Sequence, residues 1–158
     1  MAKPVPDGYH SVSPSLTLKD CKKAIEFYKK AFNAKALDIF PSLDGKSTMH
    51  ATIQIGNSIL MMGDEMPNSN CPKSAVTTGG SPIRLFIYVP DVDASFKQAI
   101  AAGATENMPV MDIFWGDRAG SLKDPFGYSW MLATHIKDLT PEEMRKGAEA
   151  FFAQMAKK

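Results

Sequence analysis

Hydrophobic and polar positions alternate from Ser11 to Leu18, with Ser11, Ser13, Ser15 and Thr17 set against Val12, Pro14, Leu16 and Leu18. That period of two predicts a half-buried strand. The period then changes. After Asp20, whose carboxylate can cap a helix, Ala24, Ile25, Tyr28, Ala31 and Phe32 fall at helical spacing, with Lys22, Lys23, Lys29 and Lys30 turned outward as a solvated face. Residues 35–40 predict a strand and residues 41–46 a turn with Asp44-Gly45 at its tip. Residues 48–55 and 58–63 predict a hairpin across Gly56-Asn57. The first half thus reads as strand, helix and three strands.

The same order returns. Residues 84–89 predict a strand, and residues 91–102 a helix with Phe96, Ala99 and Ile100 on one face and Gly103 at its end. Residues 108–115 and 118–123 predict a hairpin across Gly116-Asp117, and the turn Asp124-Pro125-Phe126-Gly127 feeds a last strand ending at His135. Ile55 to Met62 lies over Phe126 to Ala133 at an offset of 71, with Gly56 over Gly127 and Ser58 over Ser129. Leu16, Leu18 and Asp20 lie over Ile87, Val89 and Asp91 at the same offset. One module is used twice.

Five segments follow: a polar leader over residues 1–10, a first module over 11–63, a linker or lid over 64–82, a second module over 83–136, and a C-terminal helix within 137–158. The glycines at 79 and 80 are followed by neither a lysine nor a predicted helix, so they do not form a phosphate loop. Thr140-Pro141-Glu142-Glu143 is a helix start. Met144, Ala148, Phe151, Phe152 and Met155 then share one face, which needs a surface to dock on, in this chain or another subunit.

Composition narrows the partners. With 18 basic and 17 acidic residues, net charge +1, the chain carries no electrostatic footprint for nucleic acid or an anionic membrane. No apolar run approaches the roughly 20 residues that span a bilayer, and there is no apolar signal core, so a soluble, cytoplasmic protein is expected. Cys21 and Cys71 are isolated and read as two reduced thiols.

The pair Phe27-Tyr28 leading to Ala31-Phe32-Asn33-Ala34, the segment Phe114-Trp115-Gly116-Asp117-Arg118 and the turn Asp124-Pro125-Phe126-Gly127 together resemble the glyoxalase/bleomycin-resistance family of the vicinal oxygen chelate superfamily, in its PhnB-like branch. The resemblance covers residues 10–136. It implies an α+β fold: two tandem βαβββ modules curling mixed sheets into a cup, with the C-terminal helix outside the common core. It also implies a homodimer, with edge strands and the terminal helix as its surfaces. Enzymes of the superfamily hold a divalent metal at four equivalent strand positions, which the repeat alignment places at Ser13, Leu60, Arg84 and Met131. None is a usual ligand, and the neighbours Val12, Ile59, Leu85 and Trp130 are no better, so neither a metal nor another cofactor is expected. His50, Asp112 and Asp117 have suitable side chains but no paired ligand spacing.

On this reading Ser13, Ser15 and Thr17 face Arg84, Phe86 and Tyr88 across the cup. Leu60, Met62, Ser129 and Met131 form its floor, His50, Thr52 and Gln54 also turn inward, and Ile59, Trp130 and Leu132 pack under the helices. An inward arginine needs a partner, and two are open to Arg84: an anionic ligand, or an internal pair with Asp112 or Asp117. Trp115 either closes the cavity mouth or packs the hairpin, and Met61, Met62, Met108, Met111 and Met131 either form an adaptable binding surface or fill the core. No spacing argues for a nucleophile with its base. The expected ligand-binding set is Arg84, Ser13, Ser15, Phe86, Tyr88, His50, Trp115 and Met131, with no catalytic residue assigned. The leading expectation is metal-independent binding of a small amphiphilic or anionic molecule. The alternatives are a lyase, isomerase or dioxygenase recruiting metal through His50 and carboxylates, and a structural module whose cup is filled by its own side chains.

Overall fold

The computed structural model describes residues 2–67 and 70–156. The elements are β1 (Ser15–Leu18), α1 (Cys21–Phe32), β2 (Lys35–Pro41), β3 (Thr48–Ile55), β4 (Ser58–Asp64), α2 (Ala75–Thr78), β5 (Arg84–Tyr88), α3 (Val92–Ala102), β6 (Thr105–Asp112), β7 (Asp117–Lys123), β8 (Ser129–His135) and α4 (Pro141–Met155). They build two four-stranded sheets in the orders β1-β4-β3-β2 and β5-β8-β7-β6. In each sheet the first strand pairs in parallel with the last, and the others pair antiparallel. Two βαβββ modules are therefore present, as the repeat implied.

Local chemistry sets the element ends. Asp20 and Asp91 accept the backbone N–H groups of Lys23 and Ala94 and cap α1 and α3. Asn33, in the left-handed region, closes α1, and Gly103 closes α3. Thr140 and Glu143 form the reciprocal cap of α4.

Four expectations need correction. β1 begins at Ser15 and not at residue 11, leaving Ser13 in the approach, where its hydroxyl donates to the His10 carbonyl at 3.4 Å. The segment 64–82 contains α2, capped by Ser74. Glu65 accepts Ser74 N at 2.8 Å and Thr77 Oγ1 at 2.7 Å, which ties the described part of the connection to the body. β6 begins at Thr105, since on an edge strand Pro109 can be tolerated without a donor, and residues 113–116 make the turn while Asp117 opens β7.

The fourth correction concerns β4. Leu60 and Met62 lie in the core opposite Ile53 and Ala51, and Ile59 and Met61 face the other way. The cause is turn length. Ile55 pairs with Ser58 across Gly56-Asn57, whereas Lys123 pairs with Ser129 across five residues, so aligning glycine on glycine slides β4 by one position. A slip of one exchanges the two faces of a strand.

The helices lie between the sheets. A single core cluster runs from Leu16, Ile53, Leu60 and Met62 through Tyr28, Phe32, Phe96 and Ala99 to Leu122, Trp130 and Leu132. The Phe32 and Trp130 rings lie 4.6 Å apart across the module boundary. At the centre sits Asp124, 4% exposed. Its Oδ2 accepts Tyr28 Oη at 2.7 Å and Trp130 Nε1 at 2.8 Å, and its Oδ1 accepts the backbone N–H groups of Phe126 and Tyr128, each at 2.9 Å. Burial pushes this carboxyl above its ordinary range against the four donors that hold it down. Tyr128 Oη reaches back to the Thr17 carbonyl at 2.7 Å, a second polar tie between modules.

Candidate functional site

With the helices between the sheets, the opposite face of each sheet looks outward. On the second sheet that face carries Arg84, Phe86 and Tyr88 from β5, whose partners in register are Ser129, Met131 and Ala133. Alternation therefore placed Arg84, Phe86, Tyr88, Ser129 and Met131 on this face as expected. Phe86 is 42% and Tyr88 64% exposed, their rings 5.1 Å apart, and Arg84 is exposed beside them. Met131 is buried in a small satellite cluster with Ile113, Ala119 and Ala133, against which Met108, Phe114 and Trp115 pack.

The acidic partners considered for Arg84 are engaged elsewhere. Asp112 accepts Arg118 Nη1 at 2.9 Å, and Arg118 also forks onto Asp93 of α3 at 2.7 and 2.9 Å. Asp117, 1% exposed, accepts Tyr88 Oη at 3.0 Å and Trp115 Nε1 at 2.7 Å on one oxygen, and His135 Nδ1 at 2.7 Å on the other. Burial raises the Asp117 carboxyl, but these three donors outweigh it and hold the group below its usual range. Among the described residues Arg84 makes no ion pair.

Trp115 is held by that bond and by edge contact with Phe114, 5.0 Å between rings, so it packs the hairpin. Phe114 in turn supports α4 through Phe151 at 5.7 Å and Phe152 at 6.0 Å. The group of Asp117 with His135 was missed in the sequence. Eighteen positions separate the two, and only the β7–β8 register, which pairs Asp117 with His135, brings them together.

On the first sheet, Ser15, Thr17, Thr52, Gln54 and His50 share the outward face with Ile59 and Met61. His50 Nε2 lies 3.2 Å from Thr52 Oγ1, and its ring lies 6.3 Å from Phe40. Ile59 is covered by the leader at Gly8. The expected residues thus fall into two groups, one on each sheet. One cavity takes in Ser15 and His50 and another Phe86 and Tyr88, so these residues lie at separate places among the described residues.

The superfamily's metal positions, with β4 corrected, become Ser13, Met61, Arg84 and Met131. A hydroxyl, two thioethers and a guanidinium do not fit a divalent cation that takes imidazole or carboxylate. Among the described residues no group of three or more His, Cys, Asp or Glu side chains is placed to hold a metal ion. No helix of the described residues is long and apolar enough to cross a membrane.

Two βαβββ repeats with outward sheet faces define the class of protein. The chain belongs to the glyoxalase/bleomycin resistance protein/dioxygenase superfamily, whose profile matches residues 10–132. An uncharacterized protein of Mycobacterium bovis is 39% identical over 137 residues, covering 85% of this chain and 90% of its own length. An uncharacterized protein of Mycobacterium tuberculosis is also 39% identical, over 85% of this chain and 80% of its own length. Among solved structures, TioX from a Micromonospora species superposes with a TM-score of 0.63 at 24% identity, over 80% of this chain and all of its own. A PhnB protein from Bacillus cereus gives 0.61 at 19%, over 79% and 99%. The fosfomycin resistance protein FosX from Listeria monocytogenes gives 0.59 at 16%, over 85% and 97%. At these identities the structures show a common fold.

Proposed function

We propose that this chain binds a small amphiphilic anion on the outward face of its second sheet, without a metal. The observation that carries the reading is Arg84: a guanidinium on a sheet face, beside two exposed aromatic rings, with both candidate acids of its own module already paired. A planar fork suits a carboxylate or phosphonate, and Phe86 and Tyr88 offer a surface for the apolar part. Exposed Phe40 on the first sheet supports the companion proposal that a second copy closes these faces, giving a homodimer in solution. A cytoplasmic location belongs to the same reading.

The test is titration calorimetry with phenylphosphonate, with and without EDTA, alongside elemental analysis of the purified protein and its mass by light scattering. Binding unaffected by chelator and weakened about ten-fold in Arg84→Ala, the loss of one charge-assisted contact, is the expected result. Stoichiometric zinc, nickel, iron or manganese, with binding or turnover lost to EDTA, would favour a metal-dependent enzyme and overturn the reading.

A further inference from the structure

A crevice of about 540 Å³ lies at the module junction, between the end of α1, the Gly56-Asn57 turn, the edge of β5 and α3. That volume falls within the range of small-molecule sites. Its composition differs from the Arg84 face: no charged side chain lines it, and Asn33, Asn57, Ser58, Ser95 and Gln98 supply polar groups beside Phe86 and Tyr88. Burying an ion there would go uncompensated, so a neutral ligand is selected.

The polarity of the junction amides follows from their bonds. Gln98 Nε2 donates to the Lys30 carbonyl at 2.7 Å, which fixes the nitrogen, and the same nitrogen donates to Asn33 Oδ1 at 2.9 Å. Asn33 Nδ2 and Gln98 Oε1 are then left without protein partners among the described residues, one a donor and the other an acceptor. A further set of groups is open alongside. Among the described residues β5 pairs only with β8, and Val89 N donates to the Ala133 carbonyl at 2.8 Å. Peptide groups alternate in direction along a strand, so those of Phe86 and Tyr88 point to the free edge that borders the crevice.

We propose that this crevice is a second binding site, for a neutral planar ring with a cyclic amide edge, as in a pyrimidine base or a lactam. The ring N–H and C=O match Gln98 Oε1 and Asn33 Nδ2 as a reciprocal pair. The flat faces of Phe86 and Tyr88 accept the ring itself, as aromatic side chains accept bases elsewhere. The site shares Phe86 and Tyr88 with the anion reading but does not use Arg84, so the effect of Arg84→Ala tells the two apart.

The probes are uracil and 1,3-dimethyluracil, the second lacking both ring N–H groups, followed by proton–nitrogen NMR of the side-chain amides. Uracil is expected to shift the Asn33 and Gln98 amide signals. Dimethyluracil and the Gln98→Leu variant should each weaken binding about five-fold, the worth of one neutral hydrogen bond, while Arg84→Ala changes it by less than about two-fold. Asn33→Gly, which keeps the left-handed cap and removes the amide, should show the same five-fold loss and replaces Gln98→Leu where that variant is compromised in folding. No shift up to the solubility of uracil, equal binding of both probes, or loss on Arg84→Ala with Gln98→Leu unaffected would overturn the proposal.

Discussion

Asp117 and Arg118 are neighbours in sequence and point to opposite faces of β7. The arginine goes to the helix side and forks onto Asp93, and the aspartate goes to the outward side, where it gathers Tyr88, Trp115 and His135. Two carboxylates bracket the His135 ring, Asp117 at Nδ1 and Asp138 at Nε2, 2.7 and 3.0 Å away. Carboxylates only accept, so both nitrogens are asked to donate, which favours imidazolium and raises the His135 pKa above 6.5, chiefly through Asp117 and then Asp138. A raised histidine contributes stability that is fully present below the unfolded value and is lost as pH rises through the folded one. Calorimetric melting temperatures should therefore fall from pH 6.5 upward, and more in the parent than in His135→Gln; parallel profiles would remove the pair from the pH response. The sequence showed the types of these residues and not their grouping, since alternation assigns a face but says nothing of which strands lie side by side.

At the level of elements, β4 shows where the pattern fails. Ile59, Leu60, Met61 and Met62 are apolar on both faces, so alternation there has nothing to report, and the face was set by analogy with β8 across turns of unequal length. Where alternation was strong, as in β5, the face was legible. The helix starts were legible too, because Asp20, Asp91 and Thr140 announce themselves chemically. The junction with α4 rests on Gly116, at φ +98°, whose carbonyl accepts the N–H groups of both Ile136 and Lys137, each at 3.0 Å. A Cβ there would sit 2.0 Å from the Lys137 carbonyl oxygen. Gly116→Ala should cost about 2–4 kcal/mol, from the strained φ and the displaced crossing together. Urea denaturation measures the cost, and a near-ultraviolet change at Trp115 would locate it; unchanged stability would mean the crossing yields freely.

For the whole molecule, the repeat made the two-module fold legible, but not that the helices would lie between the sheets and turn the expected cup faces outward. That arrangement follows from long-range packing, above all Tyr28 and Phe32 of one module against Trp130 of the other. Asp124 fixes the same seam. Asp124→Asn keeps the shape but turns an amide toward at least one of the donors it now satisfies, and should cost about 2–4 kcal/mol. Unfolding followed by tryptophan fluorescence and by far-ultraviolet circular dichroism should still coincide, as one transition. Separate transitions would mean that the modules unfold independently once this seam is weakened. The five-residue turn that carries Asp124 has no counterpart in the first module, where two residues suffice. The second half thus carries a lock to which the first half contributes the tyrosine but no equivalent acid. Two first halves placed together would present two such tyrosines and no carboxylate to receive either, so the copies, alike in fold, are no longer interchangeable.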